Sequence, residues 1–224
     1  MKDQVAVLNI DIYSDVVCPW CYVGKRRLER ALKTWNSSLP VNIQWRPFQL
    51  NPTMPSDGMD RRAYLEAKFG GAAAARSIYE QVTAAGTAER IPFAFDRIVR
   101  TPNTFAAHRL IWWAGRHGKQ DDTVELLFRR YFLDGGEIGI TDVLASIAAE
   151  VGLDRAATET FLQSPDGVEE VKKEEAAGRR LGIRGVPYFV FNGADALSGA
   201  QPPEQFVATF REVERSLSVR KAGA

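Results

Sequence analysis

Hydrophobic and polar positions along the chain indicate a strand–helix–strand start. Residues 5–13 are rich in β-branched side chains and alternate in part with polar ones, which predicts a strand with one buried face. From Leu28 to Trp35, apolar residues recur at helical spacing between charged ones, which predicts an amphipathic helix. Residues 41–48 have the pattern of a second strand, so the chain begins with a βαβ unit.

A long helical segment separates this start from a second group of strands. Residues from about 60 to 181 show helical periodicity with repeated cap residues, which predicts five helices and two more between residues 59 and 86. Residues 187–192 have a buried-strand pattern, residues 196–200 suit a short partner strand, and an amphipathic helix begins near Pro202. The predicted order is βαβ, a helical block, and ββα.

Composition and charge limit the classes of function. Of the 224 residues, 45% are hydrophobic and 25% are charged, as in an ordinary globular protein. The formal net charge is +1, so the sequence lacks the basic excess of a nucleic-acid-binding protein. No apolar run approaches the ~20 residues that span a bilayer, and the first residues do not resemble a secretory signal. We therefore expect a cytoplasmic protein without nucleic-acid or membrane partners.

The two cysteines, Cys18 and Cys21, form one C-x-x-C motif. A secreted domain held together by disulfides would carry more cysteines along its length. A structural zinc site usually needs four ligands, and the two histidines, His108 and His117, lie far away in the sequence, so no metal site is predicted. Two interpretations of the motif remain. The cysteines are either a redox pair or two core thiols that are neighbours by chance.

The motif lies where the first predicted strand meets a helix. Pro19 suits the first helical turn, where its missing N–H costs no helical hydrogen bond. The free N–H groups and the positive dipole end of a helix N-terminus favour a thiolate at Cys18. We therefore predict that Cys18 is the nucleophile and that Cys21, one turn into the helix, resolves the mixed disulfide. Asp15 is expected either to oppose the thiolate through its charge or to cap the helix.

A second candidate element is Val186-Pro187, directly before a predicted strand. Proline is tolerated at the start of a strand because it has no N–H to give to a ladder. The alternative is a cis peptide bond that turns the Val186 backbone toward the active-site thiol, where an extended substrate would pair with it. The dipeptide alone favours the first interpretation.

Several stretches of the chain together resemble one family. CPWC after the first strand and GVPYFVF at 185–191 are similar to the thioredoxin superfamily, and the helical block is typical of its DsbA-like branch. WRPFQLNP at 45–52, NTFAAHRLIWWA at 103–114 and LSGAQPPEQF at 197–206 resemble the FrnE-like cytoplasmic oxidoreductases. These are kin to 2-hydroxychromene-2-carboxylate isomerase and kappa-class glutathione transferase. The resemblance extends from residue 5 to about residue 217.

The resemblance implies an α/β protein with a thioredoxin fold and a large all-helical insertion. The thioredoxin-like domain is expected to comprise residues 1–52 and 183–224, and the inserted helical domain residues 53–182. The resemblance also favours the cis form of the Val186–Pro187 bond over a simple strand start.

For function, the resemblance implies a thiol–disulfide oxidoreductase that works through CPWC, with the reductase or isomerase direction favoured. In the isomerase and transferase relatives a serine replaces the first cysteine, whereas this chain keeps both. The periplasmic relatives carry Pro-His between the cysteines, and this chain has Pro19-Trp20, so it lacks a cation that helps to make them strong oxidants. The alternatives are a glutathione-dependent transferase or isomerase of a small molecule, and a non-catalytic, chaperone-like binding module.

The resemblance also suggests partners and further site residues. The expected substrate is a disulfide-containing protein or a small thiol. Glutathione is expected only as a co-substrate, and no bound cofactor is implied. For the oligomeric state, a monomer and a homodimer both stay open. His108 is predicted either to line the cleft over Cys18 or, as we favour, to pack in a helix with a bond to Asn103 or a backbone carbonyl. Asn51 and Gln201 match positions near the glutathione site of the serine-bearing relatives. The predicted substrate-binding residues are Pro19, Trp20, Asn51, His108, Val186, Pro187 and Gln201.

Overall fold

The amino-terminal part of the fold is a parallel strand–helix–strand unit. The computed structural model describes residues 6–222, so residue 5 of the predicted first strand lies outside the described residues. Strand β1 (Leu8–Ser14) leads into helix α1 (Pro19–Thr34), and strand β2 (Val41–Pro47) pairs parallel with β1. The predicted βαβ unit is therefore confirmed. Its strands are slightly shorter than the sequence pattern because β propensity does not mark the residue at which pairing stops.

The middle of the chain is mainly helical, as expected. It contains seven helices, which agrees with the five predicted helices and the two further ones predicted between residues 59 and 86. It also contains a two-residue antiparallel pair, β3 (Met59–Asp60) with β4 (Arg100–Thr101), which the prediction of an all-helical insertion missed. Strands this short carry no periodicity that a sequence could reveal. The helices are α2 (Arg61–Phe69), α3 (Ala72–Ala88), α4 (Phe105–Gly115), α5 (Gln120–Phe132), α6 (Thr141–Glu150), α7 (Arg155–Gln163) and α8 (Val168–Arg180).

The carboxy-terminal part returns to the first sheet. Strands β5 (Tyr188–Phe191) and β6 (Asp195–Ser198) form a hairpin, and helix α9 (Pro203–Ala222) follows. Strand β5 pairs antiparallel with β1, which gives the four-stranded order β2-β1-β5-β6. Because β1 lies between β2 and β5, the two ends of the chain share one sheet, and the motif after β1 lies beside the loop that leads into β5.

Helices cover both faces of this sheet. Helices α1 and α9 pack together on one face, where Phe206 lies edge-on to Phe189 and Trp35 contacts Phe210. Helix α8 covers the other face, and Gly178 on it approaches the Tyr13 ring so closely that a side chain there would overlap the ring. Within residues 6–222, none of the helices combines the length and the apolar character needed to cross a membrane.

The insertion and the thioredoxin-like part share one hydrophobic core. Tyr22 on α1 stacks on Phe128 of α5, with 5.0 Å between the ring centroids. Above this contact, the buried Lys25 pairs with Glu29 of its own helix at 2.5 Å and with Glu125 of α5 at 3.3 Å. These contacts fix α1, and with it the motif at its N-terminus, against the inserted helices. The exact limits of the insertion, 53–182, stay a prediction.

Candidate active site

Cys18 and Cys21 lie at the N-terminus of α1, as the sequence predicted. Cys18 is the N-cap residue, Pro19 is the first helical residue, and the Cys21 N–H donates to the Cys18 carbonyl oxygen at 3.0 Å. Both thiols are free, and both side chains are buried, Cys18 with 5% and Cys21 with 1% of the residue exposed. The more accessible of the two is therefore Cys18, although both are shielded from water.

The loop before β5 contacts Cys18 directly. The Cys18 thiol donates a hydrogen bond to the Val186 carbonyl oxygen at 3.5 Å, and the Val186–Pro187 peptide bond is cis. Gly24, inside α1, allows this approach, because a Cβ there would lie 3.0 Å from Pro187 Cγ and 3.1 Å from Phe189 Cζ. The sequence analysis did not identify Gly24, and its only available signal was a glycine within a helical pattern.

The two thiols differ in their tendency to ionise. The Cys21 thiol donates to Cys18, and this hydrogen bond lowers the pKa of Cys18 below its usual value despite the opposing effects of burial and of the Asp15 charge. A smaller lowering of that pKa comes from Lys68. Burial and the proximity of Cys18 raise the pKa of Cys21 well above its usual value. The site thus favours a thiolate at the first cysteine and a protonated thiol at the second.

Asp15 and His108 form a buried pair beneath the motif. The Asp15 carboxylate accepts from the Leu50 N–H at 2.7 Å through Oδ2, and its Oδ1 lies 3.4 Å from His108 Nε2. Asp15 does not cap α1 through its side chain, since the N-cap residue is Cys18. Of the two predicted roles for Asp15, opposition to the thiolate is the one that its charge supports.

His108 packs within the fold, as the favoured prediction states, but with a partner that was not predicted. Its side chain is 3% exposed, and it does not line the cavity beside Cys18. Among the described residues, no hydrogen bond joins the His108 side chain to Asn103 or to a backbone carbonyl. The Asn103 Nδ2 donates to the Met54 carbonyl oxygen at 2.7 Å instead. The side chain faces Asp15, a contact that depends on how α4 packs against β2.

A cavity of about 170 Å³ lies beside Cys18. Val17, Cys18 and Pro19 form the wall on the side of the motif, and helices α2 and α3 of the insertion form the opposite wall. The sequence analysis missed this second wall, because a helical pattern does not show which of its charged residues are buried. The polar side chains on it are Arg61, Tyr64, Lys68 and Tyr79.

The remaining predicted residues lie around this centre. Trp20 is partly buried against the core, next to the cysteines. The Asn51 side chain accepts from the N–H and hydroxyl of Thr53, and Gln201 donates to the Ser198 carbonyl at 2.7 Å, so both stabilise turns and neither lines the cavity. In residues 6–222, no group of three or more histidine, cysteine, aspartate or glutamate side chains is placed to hold a metal ion.

Comparison with known proteins places this site in a family. A family model described as a DSBA-like thioredoxin domain matches residues 9–211. The crystal structure of a probable DsbA oxidoreductase from Streptomyces coelicolor is similar, with a TM-score of 0.85 and 31% identity over 92% of this chain and 89% of that chain.

Two further solved structures share the fold at lower identity. One is a 2-hydroxychromene-2-carboxylate isomerase, with a TM-score of 0.69 and 16% identity over 96% of this chain and 98% of that chain. The other is the cytosolic disulfide reductase DsbM from Pseudomonas aeruginosa, with GSH, with a TM-score of 0.64 and 17% identity over 92% of this chain and 99% of that chain. The relationship that the sequence motifs implied is thus confirmed, and the chain belongs to the DSBA-like thioredoxin domain family.

Proposed function

We propose that this protein is a thiol–disulfide oxidoreductase that acts through Cys18 and Cys21. The observation that carries the proposal is the placement of two free thiols at the start of α1, with Cys18 against the Val186 carbonyl oxygen and on the wall of a cavity. The directions of the two pKa shifts agree with this placement. The pKa of Cys18, which borders the cavity, is lowered, and that of Cys21, buried behind it, is raised. The site therefore favours the thiolate at Cys18, the nucleophile of the proposed reaction, and the protonated thiol at Cys21.

The reaction follows from this division. The Cys18 thiolate attacks one sulfur of a substrate disulfide, the substrate S–S bond breaks, and the departing thiolate takes up a proton. Cys21 then loses its proton and attacks Cys18 Sγ, which forms the Cys18–Cys21 disulfide and releases the second substrate sulfur as a thiol. Overall, two cysteine thiols are oxidised and one substrate disulfide is reduced to two thiols.

The backbone around Val186 supports a role in holding the substrate. Its carbonyl oxygen lies 3.5 Å from Cys18 Sγ, so this segment is directly beside the thiol. An extended peptide or peptide-like thiol that pairs with this segment would bring its own sulfur to Cys18. We therefore assign substrate positioning to Val186 and Pro187, with Pro19 and Trp20 on the motif side.

We further propose that the enzyme works in the reductase or isomerase direction in the cytoplasm, with glutathione as co-substrate and no bound cofactor. Trp20 stands where the periplasmic relatives have histidine, so the Cys18 thiolate lacks an adjacent cation within the motif. Without that cation, the reduced form is stabilised less than in the periplasmic relatives, and this makes the protein a weaker oxidant than they are. The cytosolic disulfide reductase that shares this fold acts in the direction we propose.

The test compares Cys18→Ser and Cys21→Ser after incubation with oxidised glutathione. We expect Cys21→Ser to accumulate one glutathione adduct, because nothing resolves the mixed disulfide, and Cys18→Ser to form none. Insulin reduction driven by glutathione should be lost in both. Equal adducts on the two variants, measured by mass spectrometry, would show that the nucleophile is misassigned.

Two further assays separate this function from its rivals. A glutathione-dependent transferase or isomerase would bind glutathione in calorimetry without reducing insulin. A non-catalytic chaperone would keep full suppression of aggregation when both cysteines are serine.

The direction of electron flow is tested by equilibration in glutathione buffers, with Trp20 fluorescence as the readout. We expect a potential between about −270 mV, the value of thioredoxin, and about −120 mV, that of DsbA. A value at the DsbA end would contradict the reductase direction and point to an oxidant.

A further inference from the structure

We propose that the cavity beside Cys18 recognises a carboxylate of the substrate, which is bound by Arg61 and assisted by Lys68. This inference rests on the proposed function, since it names the class of disulfide that the site takes. The favoured substrate is a disulfide, or mixed disulfide, that carries a carboxylate a few bonds from the sulfur.

The main observation is a buried guanidinium without an anionic partner. Arg61 is 6% exposed and lines the cavity, yet within residues 6–222 no carboxylate lies within ion-pair distance of it. Its Nη atoms donate to the hydroxyls of Tyr131, at 2.8 Å, and Tyr79, at 2.5 Å. Buried charges in proteins are normally paired, because a charge removed from water is costly without a counter-charge. A ligand anion in the cavity would supply that counter-charge.

The donors of Arg61 suit a carboxylate. A guanidinium has five N–H donors in a planar fork that matches two carboxylate oxygens, and the two tyrosine hydroxyls leave part of that fork free. The rings of Tyr79 and Tyr131 lie 5.3 and 5.6 Å from the guanidinium carbon, so aromatic faces hold the cation in place. The side chain is therefore preorganised before any ligand arrives.

A second cation lies on the same wall. The Lys68 ammonium donates to the Tyr64 hydroxyl at 3.0 Å, and among the described residues it also has no carboxylate partner. Its charge reaches Cys18, whose pKa it helps to lower. Two cations without carboxylate partners thus face a cavity that ends at the nucleophilic sulfur, and their combined field favours an anionic ligand.

The size of the cavity limits the ligand. Its volume of about 170 Å³ is below the roughly 300–1,000 Å³ of pockets that enclose a drug-sized molecule. It therefore accommodates one half of a small disulfide, with the sulfur at Cys18 and the carboxylate at Arg61. In the exchange, Cys18 bonds to the sulfur of that half, the substrate S–S bond breaks, and the other half leaves as a thiolate that takes up a proton.

The test compares oxidation of the reduced protein by two disulfides of similar length, 3,3′-dithiodipropionate and bis(2-hydroxyethyl) disulfide. Only the first carries carboxylates. We expect Arg61→Met to lower the rate with dithiodipropionate relative to the neutral disulfide by about tenfold or more, the loss of a charge-assisted bidentate contact. Arg62→Met is the matched control, because the adjacent Arg62 side chain is 85% exposed and pairs with Glu66. It should leave the ratio of the two rates unchanged.

A second variant and a binding titration complete the test. Lys68→Met changes an exposed residue without disturbing the core, so it tests the charge even if Arg61→Met unfolds, and it should lower the same ratio by a smaller factor. An unchanged ratio in both variants, or an equal fall for both disulfides, would overturn the proposal.

Titration of Cys18→Ser with 3-(methylthio)propionate, which cannot exchange, measures carboxylate binding alone. One outcome is that binding is lost in the Cys18→Ser, Arg61→Met double variant while the unaltered protein reacts with neither disulfide. That outcome would support the carboxylate site and refute the proposed function. Absence of binding together with an unchanged ratio of rates would remove the carboxylate site and leave the proposed function intact.

Discussion

Replacement of Cys21 by alanine and by serine should separate its two roles. Both variants lose the thiol that resolves the mixed disulfide in the proposed reaction, so we expect both to stop at the mixed disulfide. Serine keeps an O–H that donates to Cys18, whereas alanine keeps no donor. Because the Cys21 hydrogen bond is the largest cause of the lowered pKa of Cys18, alanine should raise that pKa and serine should largely preserve it.

The size of the effect follows from the burial of the site. Cys18 and Cys21 are 5% and 1% exposed, so no bulk water replaces the lost donor. A hydrogen bond to a charged group contributes about 1.5–3 kcal/mol, and one pKa unit corresponds to about 1.36 kcal/mol. We therefore expect the pKa of Cys18 to be about one to two units higher in Cys21→Ala than in Cys21→Ser. The thiolate fraction at a pH below both values falls by the corresponding factor of about ten or more.

The assay is the pH dependence of alkylation by iodoacetamide. The sequence contains two cysteines, so Cys18 is the only thiol in each variant, and the midpoint of the rate profile reports its pKa. Thiolate absorbance in the ultraviolet gives an independent value. Equal midpoints in the two variants, or a lower midpoint for alanine, would refute the assignment of Cys21 as the donor that stabilises the thiolate.

Three further changes test neighbouring parts of the site and fold. Asp15→Asn removes a charge that raises the pKa of Cys18, so the alkylation midpoint should move to lower pH, and a rise would contradict the electrostatic assignment. Gly24→Ala places a Cβ 3.0 Å from Pro187 Cγ and should lower the free energy of unfolding in urea by about 1–3 kcal/mol through overpacking. Arg109→Met removes hydrogen bonds to four backbone carbonyls at the end of α7 and should destabilise the fold by about 3 kcal/mol or more. It should leave the alkylation midpoint unchanged, and a shifted midpoint would show that its effect reaches the thiols.

The elements of this fold could be predicted because each carries a local signal. The strands of the sheet and the helices of the insertion have the hydrophobic periods that their burial requires, and Asp154 caps α7 as its position before the helix indicates. The position of CPWC between β1 and α1 followed from the same patterns. These signals depend on neighbouring residues in the sequence, and they need no knowledge of the packing.

The cavity wall and the buried pair had no such signal. Arg61 faces Cys18 across a gap of more than forty residues in sequence, and its helix reads as charged and exposed until α2 and α3 are placed on the motif. The sequence predicts that His108 lines the cleft over Cys18 or bonds to Asn103 or a backbone carbonyl, whereas its contact with Asp15 depends on the position of α4 against the sheet. Side chains that meet through packing between distant segments were therefore the part of the site that the sequence could not predict.

The contact between Cys18 and Val186 joins residues 168 positions apart in the chain. During synthesis, the cysteines emerge first, and the carbonyl, the Pro187 loop and the wall of α2 and α3 arrive later. Until they assemble, Cys18 is an ordinary exposed thiol with a pKa of about 8.5 and little thiolate at neutral pH. We therefore expect the rate of Cys18 alkylation at neutral pH to report complete folding, because a truncated or misfolded chain keeps both sulfurs and loses the packed arrangement that lowers the pKa of Cys18.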